Sequence, residues 1–387
     1  MKQFTKLTIA ISILFLTFSC SKDEENNSLT PDQAKIKVQE LINNSVVNDF
    51  PGLSISVKSN NYNYTLFAGK SNLATNANYT ANTLNYMHSI SKTFTAVAIL
   101  KLKEQGLINL NSTMNQYLAP AICNNITNGN TVTVKQLLNM KSGIVDYLDN
   151  PQFFIDAQTG VLPMPSSQIL QYVYNKPAHF APGSQYEYSN INYHLLALII
   201  ESVTNGNHHD YITNNIINQY NLTQTFYVPQ SSYATEPANT VSSYSSSIIP
   251  NQTTDISDLQ FGIVKSSIGD DGIIASTNDI AKFYKLLLQD KTLVSANSLA
   301  EMTAPDNTLG QSYYGMGLAS YKIPTGQLAI GHNGSGAGAA AEAWYFPEKG
   351  ITITLATNIW SLDENDPKMF KFYQLWDNIT KLILEAK

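Results

Sequence analysis

Strand-like segments lie at both ends of this 387-residue chain, with a long helical stretch between them. Near the N-terminus, Leu53–Val57 alternates with period two and is followed by NYNYTLFAG, a pattern typical of a two-stranded hairpin. Near the C-terminus, turn residues separate four further runs, GMGLASYKI, QLAIGHNG, AAEAWYFP and ITITLATN, which indicate an antiparallel meander. We therefore expect one sheet built from both ends of the chain.

Helical patterns fill most of the remaining sequence. Residues 32–47, 134–140, 166–174, 192–204, 279–288 and 369–384 are predicted helices. Residues 89–105 are apolar on nearly all sides, which predicts a buried helix that Gly106 is placed to end. Residues 111–217 are predicted to form a helical lobe, and residues 221–265 long loops. The fold class is α/β, more narrowly α+β.

The composition is that of a globular protein, long enough for one large domain or two lobes. A formal net charge of -6 gives no reason to expect a nucleic-acid partner. All 23 basic residues are lysine, because the sequence contains no arginine. This absence bears on how a substrate carboxylate would be bound.

The first residues are typical of an export signal. Lys2 and Lys6 precede a short apolar run that ends in TFSC, a pattern similar to a bacterial lipoprotein cleavage box with Cys20 as the lipid-bearing residue. A plain secretory signal and an uncleaved anchor are the alternatives. We predict a signal peptide over residues 1–19, a flexible polar tether over residues 20–34, and a hydrolase domain over residues 35–387. The protein would then be an exported lipoprotein on the periplasmic side or the cell surface, held at the membrane by its N-terminal lipid only.

Ser89 and Lys92 are the first candidates for chemistry. Residues three apart share one face of a helix, and Ser89 falls in the first turn, where free N–H groups and the helix dipole favour a developing oxyanion. A desolvated Lys92 could take the serine proton. Ser91 points to another face and is expected at the helix surface. The spacing alone is weak evidence for a catalytic pair, because Ser19 and Lys22 have the same spacing across the predicted cleavage box, where it has no catalytic role.

Two later motifs strengthen this prediction. Tyr188-Ser189-Asn190 stands just before an apolar helix, and His332-Asn333-Gly334 ends a predicted strand. With Ser89 and Lys92, they resemble the three ordered motifs of serine hydrolases related to class C β-lactamases and D-alanyl-D-alanine carboxypeptidases. The stretches VKQLLNMKSGIVDY, GDDGIIASTNDIAKFYKLLL and YGMGL also resemble landmarks of that family, and the resemblance runs from about residue 51 to 358.

The resemblance implies a penicillin-recognising fold and a role for each matching residue. Ser89 would be acylated, and Lys92 and Tyr188 would share the proton transfers, Tyr188 as a phenol of depressed pKa. Asn190 would bind the substrate amide and Lys92, and His332 would hold Tyr188 and the leaving group in place. The backbone N–H groups of Ser89 and Ser335 would form the oxyanion hole. Gly334 would leave room for the substrate beside the strand.

Several features depart from the family pattern or leave a role unfilled. Relatives often bind a substrate carboxylate with arginine, or with Thr or Ser near the third motif, and here Asn333 stands where threonine is common. This weakens the expectation of β-lactamase activity and of efficient D-Ala-D-Ala cleavage. No acidic residue can be assigned as a separate deacylation base, so Tyr188 and Lys92 would deacylate as well.

Other candidates for chemistry are weaker. His88 could line the pocket or pack in the core. His208, His209 and Asp210 are adjacent, project apart on a helix and lack a further ligand, so no metal is expected. Cys123 lies in a turn-rich stretch with no histidine nearby, and with Cys20 lipidated no internal disulfide can form.

The predicted function is hydrolysis through an acyl-enzyme on Ser89, without a cofactor. The substrate would be a small molecule or peptide, with cell-wall peptide as one candidate. Two alternatives remain at this point: an esterase on small acyl esters, and a catalytically idle binding lipoprotein on the same scaffold.

Overall fold

The computed structural model describes residues 29–160, 162–229, 235–246, 253–304, 313–361, 363 and 365–387. The predicted signal peptide and Cys20 lie outside these residues, as does most of the predicted tether. The predicted end of the tether at residue 34 is wrong, because a helix begins at Pro31. Thr30 and Gln33 form a capping box around the first turn, and proline has a backbone angle suited to a helix start.

The helices of the described residues match most of the predicted ones to within a few residues. They are α1 (Pro31–Asn48), α2 (Ser91–Glu104), α3 (Pro120–Cys123), α4 (Val134–Leu138), α5 (Pro151–Thr159), α6 (Ser166–Gln171), α7 (Ile191–Thr204), α8 (His208–Ile212), α9 (Ser257–Ser266), α10 (Thr277–Tyr284), α11 (Ala296–Met302) and α12 (Pro367–Glu385). Short 3-10 turns cover His88–Ile90, Met114–Gln116 and Tyr147–Asp149, and π-helical turns cover Thr213–Asn218 and Lys285–Gln289. Within this described part of the chain, no helix has both the length and the apolar character needed to cross a membrane.

The strands of the described residues form one large sheet and two small ones. In chain order they are β1 (Gly52–Lys58), β2 (Asn63–Asn72), β3 (Ala77–Asn78), β4 (Asn85–Tyr86), β5 (Thr225–Tyr227), β6 (Tyr244–Ser245), β7 (Thr254–Asp255), β8 (Ile273–Ala275), β9 (Tyr313–Tyr314), β10 (Ala319–Lys322), β11 (Leu328–Ser335), β12 (Ala340–Phe346), β13 (Ile351–Thr357) and β14 (Ile359–Trp360). The large sheet has the order β3-β2-β1-β13-β12-β11-β10-β9. Every pairing in it is antiparallel, and Ile55 of β1 lies opposite Leu355 of β13. The prediction of one antiparallel sheet from both termini is confirmed.

The sheet is buried on both faces, as strand β12 shows. Trp344 and Phe346 belong to a core shared with α1 and α12, whereas Ala341 and Ala343 belong to a second core shared with α2 and the helical lobe. Successive side chains of a strand point to opposite faces, so a strand between two helical layers is buried along its whole length. Strand β11, next to β12, packs against the 3-10 turn His88–Ile90 that precedes α2.

The helical lobe and its buried helix are confirmed. The described residues between 111 and 217 form helices and turns, with no strand among them. Helix α2 is buried on nearly all sides, and its Phe94 stacks on Phe283 at a centroid distance of 3.8 Å. After this helix, Gly106 has a φ of 75°, and its N–H donates to the Lys103 carbonyl, so it ends the helix as predicted.

The prediction of long loops over residues 221–265 is wrong at its end, because α9 occupies Ser257–Ser266. Gly262 lies inside this helix and lowers its intrinsic helix propensity. The same glycine lets Leu162 pack closely, since a Cβ atom there would lie 2.6 Å from the Leu162 Cδ1. Tertiary packing therefore stabilises a helix that local composition disfavours.

Candidate active site

Ser89 lies in a single 3-10 turn, His88–Ile90, that runs directly into α2. The residue before it, His88, has a φ of 46°, in the left-handed region that side chains other than glycine rarely adopt. Such a conformation costs on the order of 1 kcal/mol and persists only where neighbouring contacts hold it. His88 is buried, and its Nδ1 lies 2.9 Å from the Asp271 Oδ2. This bend places Ser89 in the wall of a cavity.

Lys92 is fully buried beside Ser89. Its Nζ donates to the Ser89 Oγ at 2.9 Å, to the Asn190 Oδ1 at 2.7 Å and to the backbone carbonyl of Asp270 at 3.0 Å. These three acceptors match the three donors of an ammonium group. The structure thus brings together three residues that the sequence predicted for the site: Ser89, Lys92 and Asn190.

Tyr188 completes this group, but its ionisation differs from the prediction. Its ring lies 5.0 Å from the Lys92 Nζ, measured to the ring centroid. Burial raises the pKa of Tyr188, although the Lys92 charge and hydrogen bonds with Lys92 and Ser89 oppose that rise. The predicted depressed pKa is therefore wrong for the free protein, and the phenol keeps its proton at neutral pH.

Asn190 is oriented by Asp146, a residue that the sequence analysis did not single out. Asp146 Oδ2 accepts from the backbone N–H of Asn190 at 2.8 Å and from its Nδ2 at 2.7 Å. A carboxylate oxygen only accepts, so the amide must turn its own oxygen toward Lys92. Burial raises the pKa of Asp146, against the hydrogen bonds that it accepts. The one sequence signal was its place in VKQLLNMKSGIVDY.

His332 lies on β11 and is buried next to Tyr188, with ring centroids 6.2 Å apart. Its Nδ1 contacts the carbonyl of Asn333, and its Nε2 lies 3.1 Å from the Tyr314 hydroxyl. A carbonyl only accepts, so Nδ1 carries the proton and Nε2 accepts from Tyr314. Burial and the Lys92 charge lower the pKa of His332 to about 3. His332 is thus a neutral ring that packs against Tyr188 and bonds to Tyr314.

Gly334 is required for close packing, a reason that the sequence did not predict, and its role in leaving room for a substrate stays a prediction. A Cβ atom there would lie 2.1 Å from the Met87 carbonyl oxygen and 3.0 Å from the Ser89 nitrogen. The missing side chain lets β11 pack against the backbone that carries Ser89, rather than only leaving room for a substrate. Ser335 follows at the strand end, is exposed and lines the same cavity as Ser89. Its role in an oxyanion hole stays a prediction.

Ser91 also differs from its prediction. It is buried rather than at the helix surface, and its Oγ accepts from the Ile273 N–H at 3.0 Å. This bond joins the start of α2 to strand β8. Of the two serines in the segment HSISKTF, residues 88–94, Ser89 faces the cavity and Ser91 faces the protein interior.

Beside Ser89 lies a cavity of about 460 Å³. Its lining is mostly apolar, with several polar groups. The apolar lining residues include Leu148, Phe153, Phe154, Leu259 and Ile263, and the polar ones include Tyr188, Asn190, Asp270 and Asp271. A mostly apolar cavity with a few convergent polar groups is the common form of a small-molecule site.

Asp270 is an acidic residue of this site that the sequence did not assign, and the prediction that Tyr188 and Lys92 also deacylate stays a prediction. The Asp270 carbonyl accepts from Lys92, its Oδ2 accepts from the Tyr147 hydroxyl at 2.7 Å, and its Oδ1 has no partner. Burial raises its pKa to about 7, and the Lys92 charge opposes the rise. The sequence placed Asp270 in the landmark GDDGIIAST, but not beside the candidate nucleophile.

Comparison with known proteins decides the family. Residues 38–375 match the protein family described as Beta-lactamase. The chain belongs to the beta-lactamase family. The enzymes of this family are serine hydrolases, and the motif residues Ser89, Lys92 and Tyr188 lie within the matched range.

Individual relatives of the beta-lactamase family cover different parts of the chain. The chain is 33% identical to Protein flp of Staphylococcus aureus (strain COL) over 137 residues, 35% of this chain and 26% of that protein. It is 25% identical to Penicillin-binding protein 4* of Bacillus subtilis (strain 168) over 264 residues, 65% of this chain and 56% of that protein. The chain therefore spans about half or less of the length of these relatives.

A solved structure of a D-stereospecific amidohydrolase from Streptomyces sp. is similar over most of both chains. Its TM-score is 0.72 at 25% sequence identity, and the similarity covers 84% of this chain and 94% of that one. The sheet built from both termini and the helical lobe are thus the beta-lactamase family fold.

Other titratable residues lie away from this site. His208 Nδ1 lies 2.6 Å from the Glu201 Oε1, while His209 Nδ1 faces Asp210 at 3.2 Å, so the two histidines do not converge. Asp149, His179 and Glu187 bring ligand atoms within 4.8 Å of one another, but all three are exposed and none lines the cavity. Cys123 is a buried free thiol, and burial raises its pKa.

Proposed function

We propose that this protein hydrolyses a peptide, amide or ester through an acyl-enzyme on Ser89. The observation that supports this most strongly is the set of three contacts around the Lys92 Nζ. The Asn190 Oδ1 and the Asp270 carbonyl can only accept hydrogen bonds, whereas the Ser89 hydroxyl can accept or donate. The bond between Lys92 and Ser89 is therefore the one of the three that can reverse.

This difference among the three acceptors indicates that Lys92 is the group that accepts the Ser89 proton. In the neutral form of Lys92, the two N–H groups of Nζ stay on Asn190 and Asp270, and the lone pair faces Ser89. The Ser89 proton then moves to Nζ as Oγ bonds to the substrate carbonyl carbon. Tyr188, whose ring centroid lies 5.0 Å from the Lys92 Nζ, passes a proton to the leaving nitrogen or oxygen and regains one from Lys92.

Deacylation reverses the roles with water in place of the leaving group. A water molecule gives its proton to the pair Lys92 and Tyr188 while its oxygen bonds to the acyl carbon. The ester bond to Ser89 then breaks, and Oγ regains its proton. Helix N-terminal N–H groups near Ser89 would stabilise the oxyanion in both steps.

A matched set of substrates tests this proposal and separates its variants. The purified protein would be given an ester and an amide of the same acyl group, and separately a penicillin, with Ser89→Ala as the control. Hydrolysis that Ser89→Ala lowers by about 1000-fold or more is the expected result. Turnover of the ester but not the amide would favour the esterase alternative. Binding without any turnover would favour the idle binding protein and contradict the proposal.

We also infer that the protein is an exported lipoprotein anchored through Cys20, and that its substrate lies in the cell envelope. The support is the sequence pattern alone: two lysines, an apolar run and TFSC, followed by a polar segment. Metabolic labelling with palmitate tests this, because Cys20→Ala should remove the label and release the protein from the membrane fraction. Equal labelling of both proteins would contradict the inference.

A further inference from the structure

The imidazole of His88 is buried between the turn that carries Ser89 and the turn that follows β11. A Cβ atom on Gly336 would lie 2.2 Å from the His88 Cε1, so the ring occupies the space that a side chain there would need. The ring also stacks on Tyr86 at a centroid distance of 6.1 Å. Because a packed interior yields little, the ring acts as a spacer between the two turns.

A chain of hydrogen bonds runs through this ring. The Gly338 N–H donates to the Gln260 Oε1 at 3.2 Å, and the Gln260 Nε2 lies 3.4 Å from the His88 Nε2. The His88 Nδ1 lies 2.9 Å from the Asp271 Oδ2, and the Asp271 Oδ1 accepts from the Gly272 N–H at 2.7 Å. The chain thus joins the turn after β11 to the loop before β8.

The two ends of the chain determine where the imidazole proton lies. A backbone N–H only donates, so the Gln260 amide must turn its oxygen toward Gly338 and its own N–H groups toward His88. An ionised carboxylate only accepts, so the His88 Nδ1 must carry a proton. The His88 Nε2 meets an amide donor and must keep its lone pair. The neutral ring with its proton on Nδ1 is the form that satisfies every contact of the chain.

This ring adjoins both N–H groups that the sequence predicted for the oxyanion hole. Ser89 follows His88 directly, and the left-handed φ of His88, 46°, helps to direct the backbone that leads into Ser89. Ser335 precedes Gly336, which packs on the ring. A shift of the ring would therefore move one donor relative to the other.

We propose that His88 is a positioning residue, whose neutral ring holds the N–H groups of Ser89 and Ser335 at the spacing that an oxyanion requires. Asp271 and Gln260 select the form of the ring that has its proton on Nδ1. The inference rests on the proposed function, because it concerns the same acyl transfer. In this role His88 exchanges no proton with the substrate.

An exchange of the carboxylate and the amide across the ring tests the proposal. In Asp271→Asn, wherever the imidazole proton lies, one donor of the chain must face another donor, so kcat/KM should fall by about tenfold or more. The double variant Asp271→Asn, Gln260→Glu keeps the net charge and lets every bond of the chain run in the opposite direction, with the proton on Nε2. It should recover most of the lost activity.

Two methyl esters of unrelated acyl groups, acetate and 3-phenylpropanoate, serve as substrates. A change in oxyanion geometry should lower kcat/KM for both alike, whereas a loss confined to one ester would mean that Asp271 contacts the acyl group and would overturn the positioning role. Asp149→Asn removes an exposed carboxylate outside the cavity wall, and should keep the wild-type rates.

Nitrogen-15 NMR of the histidine side chains locates the proton independently of activity. The chain has six histidines, and the signals of His88 are those that disappear in His88→Gln. At neutral pH we expect the proton on Nδ1 in the wild type and on Nε2 in the double variant. A wild-type ring with its proton on Nε2, or on both nitrogens, overturns the proposal even if Asp271→Asn does not fold.

The outcomes separate this inference from the proposed function. If Ser89→Ala abolishes hydrolysis but Asp271→Asn hydrolyses both esters at the wild-type rate, the acyl-enzyme proposal stands and the positioning role is wrong. A double variant as slow as Asp271→Asn, or slower, also overturns the positioning role. No Ser89-dependent hydrolysis of either ester overturns both.

Discussion

Asp146 holds Asn190 by two hydrogen bonds to a single carboxylate oxygen, one from the backbone N–H at 2.8 Å and one from the side-chain amide at 2.7 Å. This pairing turns the amide oxygen of Asn190 toward Lys92, to which it lies at 2.7 Å. The direction of one buried amide thus depends on a carboxylate 44 residues away in sequence.

Removal of the Asp146 acceptor should lower activity without touching a reacting atom. In Asp146→Ala the Asn190 amide can rotate, so kcat/KM should fall by about 100-fold, the effect of losing a charged hydrogen-bond partner. Asp146→Asn keeps an acceptor oxygen and should restore most of that loss. A steady-state assay of both variants checks this, with Asp149→Ala as the control for charge. Equal losses in both Asp146 variants would contradict the positioning role.

Substitution of the two serines in HSISKTF should have different effects: Ser91→Ala should lower stability, whereas Ser89→Ala should abolish activity. Ser91→Ala leaves the buried Ile273 N–H without its acceptor, so the free energy of unfolding should fall by about 1–3 kcal/mol. Ser89→Ala removes one acceptor of Lys92, but Ser89 lines the cavity, where water can replace its hydroxyl, so the free energy of unfolding should change by less than about 1 kcal/mol while hydrolysis is abolished. Denaturant unfolding and an ester assay on both variants test the separation. The reverse pattern would mean that Ser91 carries the chemistry.

Replacement of Gly334 by alanine, which adds only a methyl group, should destabilise the fold. A methyl group there would lie 2.1 Å from the Met87 carbonyl oxygen, so β11 or the Ser89 turn must shift. Gly334→Ala should lower the free energy of unfolding by about 3 kcal/mol and slow any labelling of Ser89. Gly206→Ala is the matched control, because its nearest neighbour atom would be 3.6 Å away. Two variants of equal stability and reactivity would show that the close packing at Gly334 is relaxed in solution.

Glu342 should make the fold less stable as pH rises. Burial raises its pKa to about 8 in the folded protein, although the Trp344 indole N–H donates to it. The folded state binds the proton more tightly than the unfolded chain, so its stabilising effect is complete below about pH 4.5 and is lost between about pH 4.5 and 8. Glu342→Gln has no such proton and should gain stability over the wild type by a few kcal/mol from pH 5 to 8. A constant difference between the two proteins across that range would contradict the shift.

The sequence predicted what depends on local pattern and on ordered motifs. Period-two runs indicated the sheet, and an all-round apolar helix indicated that α2 is buried. The three motifs indicated which side chains would meet, and Ser89, Lys92 and Asn190 do meet.

Contacts between distant segments that belong to none of the three motifs could not be predicted. Asp270 reaches Lys92 across 178 residues, and Ser91 reaches Ile273 across 182. The raised pKa of Tyr188 follows from its burial, and the close packing of Leu162 on Gly262 of α9 follows from the tertiary fold. In each case the deciding contact is tertiary, so neither propensity nor spacing along the chain contains it.

The central claim is that Ser89 is the residue that becomes acylated, with Lys92 as its proton acceptor. The most direct measurement is to treat the protein with a fluorophosphonate and to locate the adduct by peptide mass spectrometry. One adduct on Ser89, absent from Ser89→Ala and formed about 100-fold more slowly in Lys92→Ala, is the predicted result. No adduct on Ser89, or an equal rate of its formation without Lys92, would contradict the account.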